Sequence, residues 1–282
     1  MSEIVDYQRA NTVTEACELL ESPSTRVIAG GTDLLLRVGR MTGPVTLVDI
    51  NPVQELMGIQ QTSEGIRIGA MTHLAEIARA AVFQQAPYQA LVQGAIQVGS
   101  PQIRNLASIG GNLCNAAPSA DTAAPLLALE GLAEITSRKG SRTVPLADFF
   151  IGPGKTVLAQ GELLTSIFIP TPAVGTKSVY FKHSPRRAMD LAFVGVAVVL
   201  KSLEQHQVSI ALGAVAPTPI RMDAAEELIR NADSVNLDIL EKAASLCMQA
   251  ARPIDDVRST AAYRRDMVKV LTLRALRQVF EV

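Results

Sequence analysis

The apolar residues of this 282-residue chain fall in many short runs, and none approaches the roughly 20 consecutive residues needed to cross a bilayer. Runs of this kind, punctuated by Gly, Pro, Asn and Asp, specify brief strands and helices packed in layers. The chain is 48% hydrophobic and only 19% charged, so the apolar excess has to be buried in a core or against partner chains. Such a composition excludes a disordered chain. The length is that of one large domain or two modest ones.

Charge and cysteine usage narrow the function. The formal net charge is −1 and no basic stripe appears, which argues against nucleic-acid or anionic-membrane partners. The first ten residues, MSEIVDYQRA, are acidic where a signal peptide would be basic, so a cytoplasmic protein is expected. Cys17, Cys114 and Cys247 are far apart and odd in number, as are His73, His183 and His206. Free thiols in a reducing compartment fit this pattern. An iron–sulfur cluster usually takes four thiolates, and a zinc site three or four ligands; no local constellation offers either.

Along the chain, Thr12 and Glu15 read as a capping box, followed by Val13, Ala16, Cys17 and Leu20 on one helical face, with Cys17 an apolar core residue. Strands are expected near 27–29, 45–50, 66–70, 133–137 and 163–169, and helices behind Thr72 and over 90–98 and 123–129. His73 is expected to face solvent. The Gly- and Asn-rich stretch 101–121, in which few residues carry charge, reads as a loop covered by other elements. A boundary is expected in 170–175. Beyond it, strands at 178–182, 191–200 and 208–215 precede helices near 224–230, 237–250 and 260–280. That order suggests an α+β module with helices on one face of a sheet.

Two glycine clusters carry the chemistry, Gly30-Gly31-Thr32-Asp33 and Ser108-Ile109-Gly110-Gly111-Asn112. Paired glycines free the backbone for positive φ and let N–H groups approach a ligand, so two such loops could clamp a dinucleotide's phosphates from both sides. Each pair could equally be a tight turn. Neither fits the spacing of a Rossmann or P-loop motif, and Gly152-Pro153-Gly154-Lys155 reads as a turn.

Five segments in order, VIAGGTDLL (27–35), SPQIRNLASIGGNLCNAAPSAD (100–121), GELLTSIFIP (161–170), FKHSPRRAMD (181–190) and APTPIR (216–221), resemble the FAD-binding subunits of the xanthine dehydrogenase family of molybdenum hydroxylases. The resemblance implies a vanillyl-alcohol-oxidase (PCMH) type of α+β fold. Residues 1–175 would hold noncovalent FAD between subdomains of about 1–55 and 56–175, and 176–282 would form a C-terminal sheet-plus-helices domain. Arg26, Val27, Ile28, Ala29, Gly30, Gly31, Thr32, Asp33 and Leu34 would form the first pyrophosphate loop. Ala107, Ser108, Ile109, Gly110, Gly111 and Asn112 would form the second, through its backbone and the Ser108 hydroxyl. Asp121 matches an acid that holds FAD hydroxyls, or it caps the following helix. Leu163 or Leu164 would lie near the flavin face, with Phe181 and Lys182 beside the ring system. By pattern alone these are core strand residues and a surface lysine.

The same resemblance implies partners: a small [2Fe-2S] subunit and a large molybdopterin subunit, together a dimer of heterotrimers. The large chain would hydroxylate the substrate, and electrons would pass through the clusters to FAD and on to NAD⁺ or another acceptor. Arg186 and Arg187 could attract NAD⁺ phosphates, or pair with acids. The few cysteines argue against the 4-hydroxybenzoyl-CoA-reducing branch. Thr32-Asp33, where carbon monoxide dehydrogenases tend to have His/Gln-Ser, leans toward xanthine and purine metabolism. Aldehyde, nicotinate and carbon monoxide branches stay open, as does an assembly protein that has lost FAD. No stoichiometric iron, zinc or molybdenum is expected in the isolated chain; elemental analysis finding even one tightly held iron per chain contradicts this reading.

Overall fold

The structure, a computed structural model, describes residues 3–186 and 188–282. The chain opens with β1 (Ile4–Arg9), α1 (Val13–Leu19), β2 (Thr25–Ile28), α2 (Leu34–Val38) and β3 (Val45–Asp49). The three strands form a parallel sheet in the order β1-β3-β2. Thr12 caps α1 by accepting from the Glu15 N–H at 3.1 Å, and Glu15 accepts in return from the Asn11 N–H at 2.8 Å, one residue earlier than a capping box would place it. Ala16, Cys17 and Leu20 are buried under this helix as their spacing requires.

The middle of the chain runs through β4 (Ile59–Gln61), β5 (Gly65–Gly69), α3 (Leu74–Ile77), α4 (Gln89–Ile96), α5 (Pro101–Arg104), α6 (Ile109–Cys114) and α7 (Ala123–Ala128). It continues with β6 (Leu132–Ser137), β7 (Gly140–Pro145), α8 (Leu146–Phe149), β8 (Phe150–Gly152), β9 (Lys155–Thr156) and β10 (Leu163–Pro170). An antiparallel sheet results, ordered β4-β5-β10-β6-β7, with β8-β9 a separate hairpin around the expected turn. His73 takes the N-cap position of α3 instead of Thr72, is half-buried, and bridges to Ser108.

The stretch expected as a loop folds in part as α5 and α6. Ser100 accepts from the Ile103 N–H at 3.3 Å and Ser108 from the Gly111 N–H at 3.1 Å, so each serine starts one short helix. Ile109 and Leu113 are fully buried, and the segment is covered as its low charge suggested.

The remainder comprises β11 (Lys177–His183), β12 (Val194–Ser202), β13 (Gln207–Gly213), β14 (Ile220–Arg221), α9 (Asp223–Arg230), α10 (Leu237–Ala250) and α11 (Ala261–Phe280). The four strands form one antiparallel sheet in chain order. Along β12, Val194, Val196, Val198 and Leu200 join the core under α9 to α11, whereas Ala197 and Val199 join the core that holds α4 and α7. Helices therefore cover both faces, not the one face expected. A nearly unbroken apolar strand is the mark of two-sided burial, because alternate side chains meet opposite surfaces.

Arg221 helps lock this sheet to the rest. Its guanidinium donates from Nε and Nη2 to Glu226 at 2.9 and 2.8 Å, and from Nη1 to the Leu127 carbonyl at 3.3 Å. Glu226 is buried and also accepts from the Ile210 N–H at 2.7 Å. Among the described residues no helix is long and apolar enough to cross a membrane. Replacing Arg221 with Met leaves a buried carboxylate without its cation, which should destabilise the chain by about 3 kcal/mol. A urea unfolding midpoint unchanged from wild type would refute that assignment.

Candidate functional site

The first glycine cluster leaves the C-terminal end of β2, the side on which parallel sheets open a crevice for ligands. Gly31 sits at φ +67, a left-handed conformation that side chains rarely adopt. Gly30 is needed for a different reason: a Cβ there would lie 1.9 Å from the Leu106 carbonyl oxygen. The loop is steadied from behind by Asn51, whose amide donates to the Ala29 carbonyl at 3.2 Å and to Asp49 at 2.6 Å. Burial pushes the Asp49 carboxyl up, but hydrogen bonds from Tyr7 and Asn51 outweigh it and hold the group below its ordinary value. Among the described residues, the Gly31, Thr32 and Asp33 N–H groups have no hydrogen-bond partner within the chain.

The second cluster is built differently from the expected amide cradle. The Ile109 N–H donates to the Thr72 carbonyl at 3.0 Å, and the Gly110 N–H to the Ala70 carbonyl at 2.8 Å. The Gly111 N–H is engaged by Ser108 Oγ. Gly110 is required because a Cβ would press within 2.7 Å of both the Cβ and the carbonyl oxygen of Ala70. What this segment keeps for a ligand is the Ser108 O–H proton and the side-chain amide of Asn112. The Asn112 carbonyl oxygen already accepts from Thr122 at 2.6 Å.

The two clusters line one cavity of about 540 Å³, within the range of cofactor sites. Arg26, Val27, Ala29, Gly30, Gly31, Thr32, Asp33 and Leu34 form one wall. Ala107, Ser108, Gly110, Gly111 and Asn112 form another, and Leu163 and Leu164 of β10 close it from the centre of the five-stranded sheet. Ile28 does not line the cavity, and Ile109 is fully buried in the core.

Asp121 lines the cavity as well, although it is only 6% exposed. The N-cap of α7 is Thr122, so the capping alternative for Asp121 falls away. Its carboxylate is held from the C-terminal sheet instead: Tyr180 donates its hydroxyl to Oδ1 at 2.8 Å, and Lys182 donates from Nζ to Oδ2 at 2.7 Å. Burial holds the Asp121 carboxyl above its ordinary value, and Lys182 and Tyr180, which favour the charged form, offset that rise only in part. Lys182 therefore stands behind Asp121, not on the cavity wall, and Phe181 packs toward the core under α9 to α11. Asp190 and Leu191 reach the cavity edge. Arg186 is paired with Asp190 at 3.2 Å, and Arg187 lies outside the described residues.

Sequence reasoning missed Arg37, which lines the cavity and donates to Asn115 at 2.5 Å, tying α2 to the end of α6. A lone arginine one turn after the first cluster, and an asparagine three residues after the second, were the available signals. Cys114 also lines the cavity; burial pushes its thiol up to about 12. Among the described residues no group of three or more His, Cys, Asp or Glu side chains could hold a metal ion.

Residues 3–172 match the family model described as the FAD binding domain in molybdopterin dehydrogenase. The chain belongs to this family. Residues 179–279 match the carbon monoxide dehydrogenase flavoprotein C-terminal domain. Among relatives, the chain is 35% identical to a putative xanthine dehydrogenase FAD-binding subunit of Escherichia coli, covering 98% of this chain and 96% of the relative. It is 36% identical to the glyceraldehyde dehydrogenase medium chain of Sulfolobus acidocaldarius, covering 97% of each. Among solved structures, a carbon monoxide dehydrogenase from Hydrogenophaga pseudoflava superposes with a TM-score of 0.94 at 30% identity, covering 100% of this chain and 99% of that one. The fold is accordingly the PCMH-type FAD-binding fold with its C-terminal domain, the cofactor is FAD, and the chain is an oxidoreductase subunit of the molybdenum hydroxylase type. The cavity fits that cofactor: a loop with unengaged N–H groups suits its phosphates, and a largely apolar remainder suits its rings.

Gly111 offers the cleanest probe of the site. A Cβ there would meet only Ser108 Oγ, at 3.0 Å, whereas any side chain at Gly31 strains the backbone itself. Gly111→Val should keep the far-ultraviolet circular dichroism of the wild type while its FAD-to-protein ratio falls severalfold. Gly30→Ala, by contrast, should force the two clusters apart and lower both occupancy and thermal midpoint. Full occupancy in both variants would remove the glycine clusters from the site.

Proposed function

We propose that this chain is the electron-transfer subunit of a three-component molybdenum hydroxylase, receiving electrons from [2Fe-2S] clusters of a small partner and passing them to NAD⁺ or another acceptor. The observation that carries the proposal is the convergence of both glycine clusters and β10 on one cavity. The cavity-lining residues named above from 26 to 34 and from 107 to 112, which leave out Ile28 and Ile109, are its FAD contacts together with Asp121, Leu163 and Leu164. Lys182 acts through Asp121. FAD, when bound, supplies a centre that exchanges electrons singly with clusters and in pairs with a hydride acceptor. The chain's part is to hold the phosphates at the first loop, to accept hydroxyls at Asp121, and to exclude water with the leucines of β10.

The assignment to a medium subunit is supported by relatives carrying that name, among them the glyceraldehyde and carbon monoxide dehydrogenase medium chains. Residues 1–175 and 176–282 are taken as its FAD-binding and C-terminal domains. Thr32-Asp33 and the xanthine dehydrogenase relative favour a purine substrate, which would be bound on another chain. Arg186 is paired with Asp190 of the cavity edge, and a dinucleotide acceptor would have to compete with that carboxylate for it.

Denaturing the purified chain should release a yellow fluorescent dinucleotide that separates from FMN. The isolated subunit should accept electrons from dithionite but turn over no purine or aldehyde, because in this reading the oxo-transfer centre belongs to the large partner. In the assembled, reduced complex, rapid mixing with NAD⁺ should reoxidise the flavin with formation of NADH. Reoxidation only by a ferredoxin, a quinone or oxygen would remove NAD⁺ as the acceptor and leave the subunit assignment standing.

A further inference from the structure

We infer that Tyr180 and Lys182 are positioning residues that hold the Asp121 carboxylate ready to accept hydroxyl groups of FAD, so that the C-terminal sheet completes a binding site it does not itself line. The inference rests on the reading of Asp121 as a FAD contact. Residues 180 and 182 are two apart on β11 and so project to the same face of the sheet. That face packs on α4, where Gln93 Oε1 accepts from the Tyr180 N–H at 2.6 Å and the Gln97 carbonyl accepts from Lys182 Nζ at 3.2 Å. Between these anchors the two side chains take one oxygen each of Asp121, at 2.8 and 2.7 Å. Phe181, between them, points the other way into the core under the C-terminal helices.

The arrangement is tightly fitted. Gly195 of β12 pairs with Lys182 across the sheet, and a Cβ at Gly195 would lie 2.6 Å from the Tyr180 hydroxyl. Tyr180 is 3% exposed, the Lys182 side chain 4% and the Asp121 side chain 7%. Two donors behind a carboxylate leave it further lone pairs, since each ionised oxygen accepts about two hydrogen bonds. Those remaining lone pairs are what a cavity ligand can use. With both oxygens held, the carboxylate cannot rotate away, and the ammonium 2.7 Å distant opposes the proton that burial favours. Neutral, protonated Asp121 would lose acceptor capacity toward hydroxyls. Tyr180 thus governs orientation and Lys182 governs charge, although neither touches the cavity.

A double-mutant cycle on the full-length, deflavinated chain tests this, with FAD affinity read from flavin fluorescence quenching. Tyr180→Phe keeps the ring that fills the core and removes only the hydroxyl. It should weaken FAD binding on the order of tenfold, as expected for a lost hydrogen bond to a charged group. Asp121→Asn should weaken binding at least as much. In the Asp121→Asn background, adding Tyr180→Phe or Lys182→Met should change the affinity by less than about twofold, because both act through the missing carboxylate. A Tyr180→Phe chain that binds FAD like wild type overturns the inference. So does a double variant in which the full tenfold loss recurs, which would mark Tyr180 as general scaffolding. If Asp121→Asn alone binds like wild type, the reading of Asp121 as a FAD contact fails, and the positioning role fails with it.

Discussion

The site depends on one steric fact, the passage of the first glycine loop across the Leu106 carbonyl at a point where even a methyl group would collide. The parallel sheet and the five-stranded antiparallel sheet each bring their own loop, and neither loop alone encloses a ligand. Contact at Gly30 joins them into one cavity, and Gly110, pressed against Ala70, seats the second loop on the antiparallel sheet. The two glycines are needed for close approach of backbone to backbone, whereas Gly31 is needed for its positive φ. Three glycines thus answer to two different physical requirements.

The C-terminal sheet is easily taken for an appendage, yet it is buried on both faces and shares a core with α4 and α7. Arg221 and the Asp121–Lys182 pair cross the same junction. Polar groups buried at such a junction bind weakly on balance after desolvation, but they penalise any misaligned docking, because each would then be left unpaired. The apolar surface holds the two parts together and the polar pairs fix their register.

Much of this was legible in the sequence wherever periodicity was strong. The helix Leu237–Ala250 and strands β11 to β13 follow from the spacing of apolar residues, whereas the two-residue β14 is too short to show a period. The segment 101–121 was not legible as helix because Gly and Asn are poor helix formers. Its two turns are set by Ser100 and Ser108 caps and by packing against Ala70, and that contact is invisible to a local window. The glycine pairs stood out as pairs, but the engagement of the Ile109 and Gly110 amides by carbonyls of residues 70 and 72 did not. Lys182 looked like a surface lysine for the same reason. Its partner is 61 residues away, and nothing in the local sequence indicates the burial that forces them together.

Cys114 sets a boundary on side reactions. A thiol on the wall of a redox cofactor's cavity is a hazard, since its thiolate could attack an oxidised neighbour or climb toward sulfenic and sulfinic acids. Only the thiolate is a good nucleophile, and with the group pushed up to about 12 the ionised fraction at neutral pH is on the order of one in 10⁵. Desolvation therefore works as chemical insulation: the sulfur fills space on the wall of the cofactor cavity while burial keeps it a thiol.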